Sequence, residues 1–383
     1  MDIEFTEEQK MLQKQVRDFA KNEVAPKSAA DDKAHRFPRE LVEKMGELGF
    51  FGCPISEEYG GNGMGYLAHA IVCEEIGRVS GTLRAAFNMQ TMGTAKVIQD
   101  HGSEELKRKY IAKLVKAESI GCFCITEPEA GSDAASMSTY AVLDGDHWVV
   151  NGSKTWITFA PIGDVGTVFL YTDRNQKYKG MSCMVIDLNS PGVTKLPLGD
   201  KMGLHTCPTG QLFFENVRVP KGNILGKPGD GWGILMSDLN NTRLTTAAGA
   251  VGGSQAALDE AISYAKQRKQ FGQEIGQFQM IQDSIARMVV ETEAARWLTY
   301  RAAVRRDQGI VNALDASMAK FKAAEVASQN ADLALLVLGA YGYSTEYPVE
   351  RILRENKLYQ IVEGSANIQK TIIATIALGY RKA

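Results

Sequence analysis

The chain has 383 residues, 44% of them hydrophobic and 23% charged, long enough for two or three cores and too apolar for a disordered polymer. Its formal net charge is -2, and Lys and Arg alternate with Asp and Glu, so no basic surface recommends nucleic acid or an anionic membrane. The opening MDIEFTEEQKMLQKQ is acidic and amphipathic, unlike a secretory signal. No apolar run approaches the roughly 20 residues of a membrane span, so a cytoplasmic location is expected. Six cysteines, at 53, 73, 122, 124, 183 and 207, form no CxxC pair, and the five histidines show no ligand spacing; reduced thiols and no metal are expected.

Residues 1 to 119 read as helices. Thr6 and Gln9 have capping-box spacing ahead of an apolar stripe of Met11, Leu12, Val16 and Phe19, and Pro26 is expected to end that helix. Pro38 is placed like a first-turn proline, Leu41, Val42, Met45 and Leu48 supply the next face, and Gly49 looks like its left-handed terminator. Two further helices fit 66 to 101 and 103 to 117. From 120 to 231 the period shortens: AVLDGDHWVVNGSKTWIT is a hairpin turning at Asp144 and Gly145, and DVGTVFLYT, GMSCMVIDL and GQLFFENVRVP continue as strands. Between Pro228 and Pro348 there is no proline, and the interval is rich in Ala, Gln, Glu, Arg and Leu, which predicts long bundled helices over 232 to 383. The fold class is therefore α+β, mostly α, in the order helices, strands, helices.

Five segments are candidates for chemistry, each with a plainer alternative. In ITEPEAGSD, residues 125 to 133, Ala130, Gly131 and Ser132 lack bulk and would let backbone N–H groups approach an anion; a surface turn explains them equally. In WIT, Trp156 would stack on a flat ring and Thr158 would meet its polar edge, or Trp156 is a core residue. RKQFG, with Arg268, Phe271 and Gly272 followed by Gln279, is either a contact or a glycine-capped helix end. In YQIVEGSANIQK, residues 359 to 370, Glu363 stands among the apolar Ile361 and Val362, surroundings that disfavour a charged carboxylate and make it a stronger base for a carbon acid; otherwise it is a helix-start glutamate. In SGTLRAAFNMQT, residues 80 to 91, Arg84 lies in an apolar stretch and needs an anionic partner, either a protein carboxylate or a carboxylate of the substrate.

Taken together, in this order and spacing, these segments resemble the acyl-CoA dehydrogenase family across essentially the whole chain. The resemblance implies an N-terminal helical domain, a central β-barrel-like domain and a C-terminal four-helix bundle, with FAD between the last two in a homotetramer. It places Phe123, Ile125, Thr126, Gly131, Ser132, Trp156 and Thr158 against FAD from the β domain, and Arg268, Phe271 and Gln279 against the FAD of a neighbouring subunit. Ser365 and Asn367 would close the flavin site, Ser132, Arg243 and Gly364 would contact the acyl-CoA, and Glu363 falls on the catalytic base. Thr242 occupies the position from which some members supply the base instead. Three departures are visible: Leu336, Val337, Leu338, Gly339 and Ala340 replace the usual late flavin contact, Val362 the tyrosine before the base, and His205 the arginine of KMGxR. An electron-transferring flavoprotein is the implied electron acceptor.

SGTLR also resembles the glutaryl-CoA dehydrogenase subgroup, in which the arginine matching Arg84 holds the substrate's distal carboxylate. Members that decarboxylate carry a tyrosine where this chain has Val362 and an acidic residue where it has Gly77. The expectation is therefore glutaryl-CoA oxidised to glutaconyl-CoA with its carboxylate retained. Decarboxylating glutaryl-CoA oxidation, benzylsuccinyl-CoA, cyclohexanecarboxyl-CoA and an inactive flavin-binding scaffold are the alternatives.

Overall fold

A computed structural model describes residues 4–310 and 313–380. Helix α1, Glu7–Phe19, starts at a reciprocal cap: the Thr6 hydroxyl accepts from the Gln9 N–H at 3.2 Å, and the Gln9 side chain accepts from the Thr6 N–H at 3.1 Å. Leu12, Val16 and Phe19 are buried as expected, but Met11 is 71% exposed, one position off the buried stripe. Pro26 does not end the helix. A π-helical segment, Ala20–Val24, leads into α2, Ala25–Ala34, and Pro26 sits in the first turn of α2, where a missing N–H is tolerated. Helix α3, Arg39–Glu47, follows Pro38, which is its cap residue rather than its first turn, and Gly49 takes the left-handed conformation (φ 73) expected of a terminator.

The helix expected over 66 to 101 is broken into pieces: α4 (Gly65–Gly77), α5 (Gly81–Gln90), a π-helical segment Thr91–Lys96 and α6 (Val97–His101). The break has a local cause. The Ser80 side chain accepts from the Leu83 N–H at 3.2 Å and starts a new helix, swinging Arg84 and Asn88 onto a direction α4 does not have. Helix α7, Glu104–Val115, closes this helical part.

The central strands are β1 (Gly121–Cys124), β2 (Tyr140–Asp144), β3 (His147–Thr158), β4 (Val165–Tyr171), β5 (Met181–Asp187), β6 (Val193–Pro197), β7 (Thr209–Pro220) and β8 (Ile224–Leu225). They form one sheet in the order β6-β7-β3-β2-β4-β5-β8, with β1 parallel to β4. The β2–β3 hairpin pairs Asp144 with His147, so its turn residues are Gly145 and Asp146, one position later than the sequence suggests, with Gly145 at φ 62.

The proline-free interval is helical as expected: α8 (Gly231–Gln267), α9 (Gln279–Asp307) and α10 (Ala313–Leu338), followed by α11 (Val349–Asn356) and α12 (Ala366–Ala377). Helix α8 is the hub, buried along much of its length against α4, α5, α9 and α10. A Cβ added at Gly252 would lie 2.2 Å from the Glu74 carbonyl oxygen, so this glycine lets α8 and α4 touch backbone to backbone. Between α8 and α9 a two-strand ribbon, β9 (Lys269–Gln270) and β10 (Gln273–Glu274), turns at Phe271 and Gly272 with both residues left-handed. Gly272 is thus a hairpin residue and not the helix cap offered as an alternative. No helix among the described residues is long and apolar enough to cross a membrane.

One buried ion pair ties the sheet to the loop after β1. The Lys154 ammonium, fully buried on β3, donates to Glu127 Oε1 at 2.8 Å and to the Ile125 carbonyl at 2.9 Å. Burial opposes the charge on Glu127, but Lys154 and donors from Ser138 and Thr139 outweigh it and hold the carboxyl well below the usual carboxylate range. Lys154→Met leaves that carboxylate buried and unpaired, and is expected to cost about 3 kcal/mol in urea unfolding at pH 7. Glu127 is depressed in the folded state, so its contribution is present above about pH 4.3 and drains away as pH falls toward its folded value. The gap between wild type and Lys154→Met should therefore narrow on acidification.

Candidate active site

The segment 359–370 runs from a 3-10 turn, Lys357–Gln360, into α12. Ser365 caps α12, accepting from the Ile368 N–H at 3.4 Å, so Glu363 lies two residues ahead of the cap and is not a helix-start residue. Glu363 and Gly364 are both left-handed, at φ 56 and 84. For a glutamate that conformation is strained, and it survives only where neighbours enforce it. They do so at two successive carbonyls. Arg243 Nε donates to the Glu363 carbonyl at 3.2 Å, Gln369 Nε2 donates to the Glu363 and Gly364 carbonyls at 3.2 and 2.9 Å, and Lys320 Nζ donates to the Gly364 carbonyl at 2.8 Å.

The Glu363 side chain is not held by its sequence neighbours, since Ile361 is 60% exposed. Its partners come from two distant helices: Asn88 Nδ2 on α5 donates to Oε1 at 3.2 Å, and Thr242 Oγ1 on α8 donates to Oε2 at 2.8 Å. Thr242 is thus within one hydrogen bond of the carboxylate. One turn earlier on α8, Asp238 is buried, with Oδ2 lacking a hydrogen-bond partner. Burial, then the Glu363 charge, pushes its carboxyl well above the usual carboxylate range.

Arg84 lies one turn before Asn88 on α5. It is 4% exposed, its Nε has no hydrogen-bond partner, and no carboxylate among the described residues lies within ion-pair distance. The guanidinium sits 4.9 Å from the centre of the Tyr359 ring, four residues before Glu363, and packs against Gly249, where an added Cβ would lie 2.6 Å from Arg84 Cδ. Of the two sequence alternatives for Arg84, the protein carboxylate is not there. Arg84 and Glu363 are instead joined through Tyr359 below and Asn88 beside, about 6 Å of helix separating the two α5 positions.

The β-domain residues present a different surface. A register shift between Lys154 and Ile157 in the β3–β7 pairing places Trp156 in a left-handed conformation (φ 57), turned outward and 61% exposed, so it is not a core tryptophan. The Thr155 N–H donates to the Thr126 carbonyl at 2.9 Å, bringing Ile125 and Thr126 beside the strand that carries Trp156 and Thr158. Residues 127 to 130 close a tight turn, and beyond it Gly131 and Ser132 are exposed, with nothing within 4 Å of a Cβ added at Gly131. Phe123 is buried against Phe169, 5.5 Å between ring centres. An exposed indole facing outward beside an open glycine-serine turn fits a flat ring joined to a pyrophosphate. Phe271 is 94% exposed at the ribbon tip, Arg268 and Gln279 are exposed, and Asn367 is exposed on α12. Arg268 stacks over Tyr341, 5.5 Å from its ring centre, and Phe271 meets Phe278 edge-on, so the ribbon packs on its own helical part.

Asn88, Lys320 and Gln369 escaped the sequence reading. Asn88 had a signal, since it stands four residues after Arg84 on one helix face; Lys320 is 44 residues from the carbonyl it grips and had none.

This fold belongs to a class of flavoenzymes. The acyl-CoA dehydrogenase N-terminal domain model matches residues 6–118, the middle domain model 122–217 and the C-terminal domain model 229–378. The chain belongs to the acyl-CoA dehydrogenase family, flavin-dependent oxidoreductases that use FAD and act on acyl-CoA thioesters. It is 53% identical over 388 residues to the glutaryl-CoA dehydrogenase of Desulfococcus multivorans, covering 100% of both chains. Among solved structures it is similar to a glutaryl-coenzyme A dehydrogenase in complex with glutaryl-CoA, with a TM-score of 0.98, 52% identity and coverage of 100% of this chain and 98% of the other. It is also similar to a chain in a structure of the electron transferring flavoprotein of Acidaminococcus fermentans, with a TM-score of 0.97, 39% identity and coverage of 99% and 100%.

Proposed function

We propose that the chain oxidises glutaryl-CoA to glutaconyl-CoA and leaves the distal carboxylate in place. The observation that carries this reading is Arg84: a guanidinium inside the protein, without a carboxylate partner, on the helix face that also touches Glu363. A buried cation of this kind costs stability until an anion joins it, and a substrate bearing a carboxylate at the far end of its acyl chain supplies one. The similarity to glutaryl-CoA dehydrogenase supports the same choice.

Glu363 removes the α-proton. Bound FAD supplies the acceptor for hydride from the β-carbon. Asn88 and Thr242 hold the two carboxylate oxygens, and Arg243, with Gln369, fixes the backbone from which the side chain projects. Ser132, Arg243 and Gly364 line the thioester and coenzyme A end. Phe123, Ile125, Thr126, Gly131, Ser132, Trp156 and Thr158 hold the flavin, with Ser365 and Asn367 behind it. The exposed Phe271, Arg268 and Gln279 reach the flavin of a second copy within a homotetramer, and an electron-transferring flavoprotein reoxidises the enzyme. The domains are taken as residues 1–119, 120–231 and 232–383.

The surroundings of Arg84 support retention of the carboxylate. Gly77 cannot give way to an acidic side chain, because a Cβ there would lie 2.9 Å from the Gly249 carbonyl oxygen, and position 362 carries valine rather than a phenol. With no protein carboxylate among the described residues competing for the guanidinium, the substrate carboxylate stays fully paired and is poorly placed to leave as CO2.

Anaerobic titration of the yellow protein with glutaryl-CoA, with the product identified by mass, tests the reading. Flavin bleaching with glutaconyl-CoA formed supports it, whereas crotonyl-CoA and CO2 overturn carboxylate retention. Bleaching only with benzylsuccinyl-CoA or cyclohexanecarboxyl-CoA overturns the substrate, and silence with all of them indicates a scaffold. Trp156→Ala is expected to weaken FAD retention about 2- to 10-fold, given the ~0.5–1.5 kcal/mol of an aromatic stack, read from the ratio of flavin to protein absorbance after dilution.

A further inference from the structure

The Glu363–Gly364 peptide pair is held by more polar side chains than a loop of its length requires, and one of them is costly. Lys320, on α10, is fully buried. Its ammonium makes no ion pair among the described residues, and its one hydrogen bond there runs to the Gly364 carbonyl at 2.8 Å. An ammonium taken out of water for a single carbonyl destabilises the fold, so its presence calls for another account. The carbonyl it grips closes a left-handed glutamate–glycine pair, at φ 56 and 84, from which the base projects.

We propose that Lys320 is a positioning residue for the dehydrogenation: with Arg243 and Gln369 it locks the two carbonyls of the Glu363–Gly364 pair and so fixes where the Glu363 carboxylate points. This rests on Glu363 being the base. The three grips come from α8, α10 and α12, so the pair is fixed from three separate helices. A carboxylate aimed at a carbon acid works only within a narrow geometry, and a residue far from the substrate controls rate by holding that geometry.

The charge on Lys320 makes the idea measurable. Burial lowers it, and Glu363, facing it from the loop, Arg243 from α8 and Glu325 from its own helix adjust it to about 8. Above that value the amine is neutral and its grip on the carbonyl weakens. The fold does not weaken with it. Between about 8 and the ordinary lysine value of about 10.4 the unfolded chain binds more protons than the folded one, so this group adds stability as pH rises. Lys320 thus lowers activity at alkaline pH without lowering stability.

The test compares wild type, Lys320→Met, Lys320→Arg and Glu363→Gln as FAD-loaded proteins, with glutaryl-CoA and with butyryl-CoA as the uncharged control, across pH 6 to about 10. Lys320→Met is expected to lose about 10–100-fold in kcat with KM changed less than about threefold, and to lack the wild-type alkaline limb. Lys320→Arg should recover most of the rate and keep it to the top of the range, because arginine stays charged. A Lys320→Met enzyme with near wild-type kcat and an unchanged alkaline limb overturns the proposal, provided Glu363→Gln is inactive. An active Glu363→Gln overturns the assignment of the base instead. If Lys320→Met does not fold, the wild-type and Lys320→Arg profiles decide: identical alkaline limbs in the two overturn the proposal.

Discussion

Arg84→Met is expected to lose glutaryl-CoA as a substrate while keeping its fold, its flavin and its turnover of butyryl-CoA. Among the described residues the guanidinium has no anion of its own, so the bound substrate carboxylate would be the one it faces. Removing one member of a buried charge pair costs about 2–5 kcal/mol, which predicts a fall of about 30- to 4,000-fold in kcat/KM for glutaryl-CoA. The free protein should respond the other way. Methionine removes a buried cation that no carboxylate among the described residues compensates, so the urea midpoint should stay level or rise. A structural arginine would show the reverse, with stability lost and both substrates affected alike. The same variant sorts the alternatives: a cyclohexanecarboxyl-CoA enzyme would keep turnover of its own substrate, and a benzylsuccinyl-CoA enzyme would lose it together with the carboxylate contact.

How much of this was legible in the sequence depends on whether the cause was local. The Thr6–Gln9 cap, the Gly49 terminator and the long helices between Pro228 and Pro348 were readable because each is decided within a few residues. Pro26 misled because a π turn absorbs it, and the helix over 66 to 101 misled because Ser80 acts as a cap inside an otherwise apolar run. The site shows the same division. Glu363 and Arg84 were visible as charges among apolar neighbours, yet the surroundings of Glu363 turned out to be Asn88 and Thr242, 275 and 121 residues away, and not Ile361. Trp156 was visible as a residue, but its outward turn depends on a register shift against β7 that only the paired strand decides. Lys320 stands in AKFKAAE, which reads as a solvated helix face; the packing of α10 under the 363–364 loop is what buries it.

Glu363→Gln is expected to abolish flavin bleaching by any acyl-CoA, with a loss of about 10³–10⁴-fold in the rate of reduction, at the upper end of what a positioned base contributes. Glutamine keeps the size of the side chain, its oxygen accepts from Asn88 and its NH2 donates to the Thr242 hydroxyl, which turns to the Leu239 carbonyl, so substrate binding and folding should survive; only the acceptor for the α-proton is gone. Solvent exchange of the α-proton, followed by mass in deuterated water, should fall with it, which separates loss of the base from a damaged flavin site. The position of Thr242 sharpens the test. Its hydroxyl lies 2.8 Å from the Glu363 carboxylate, so a carboxylate carried on α8 at 242 reaches nearly the same point in the site. The double variant Glu363→Gln, Thr242→Glu should therefore recover part of the lost rate, about 10–100-fold over Glu363→Gln alone, because the geometry of the transferred base is close but not optimised. Recovery would show that the reaction depends on where the carboxylate stands and not on which element bears it. A double variant no faster than Glu363→Gln, with substrate still bound, would mean instead that the left-handed backbone at 363 contributes something the side chain alone does not.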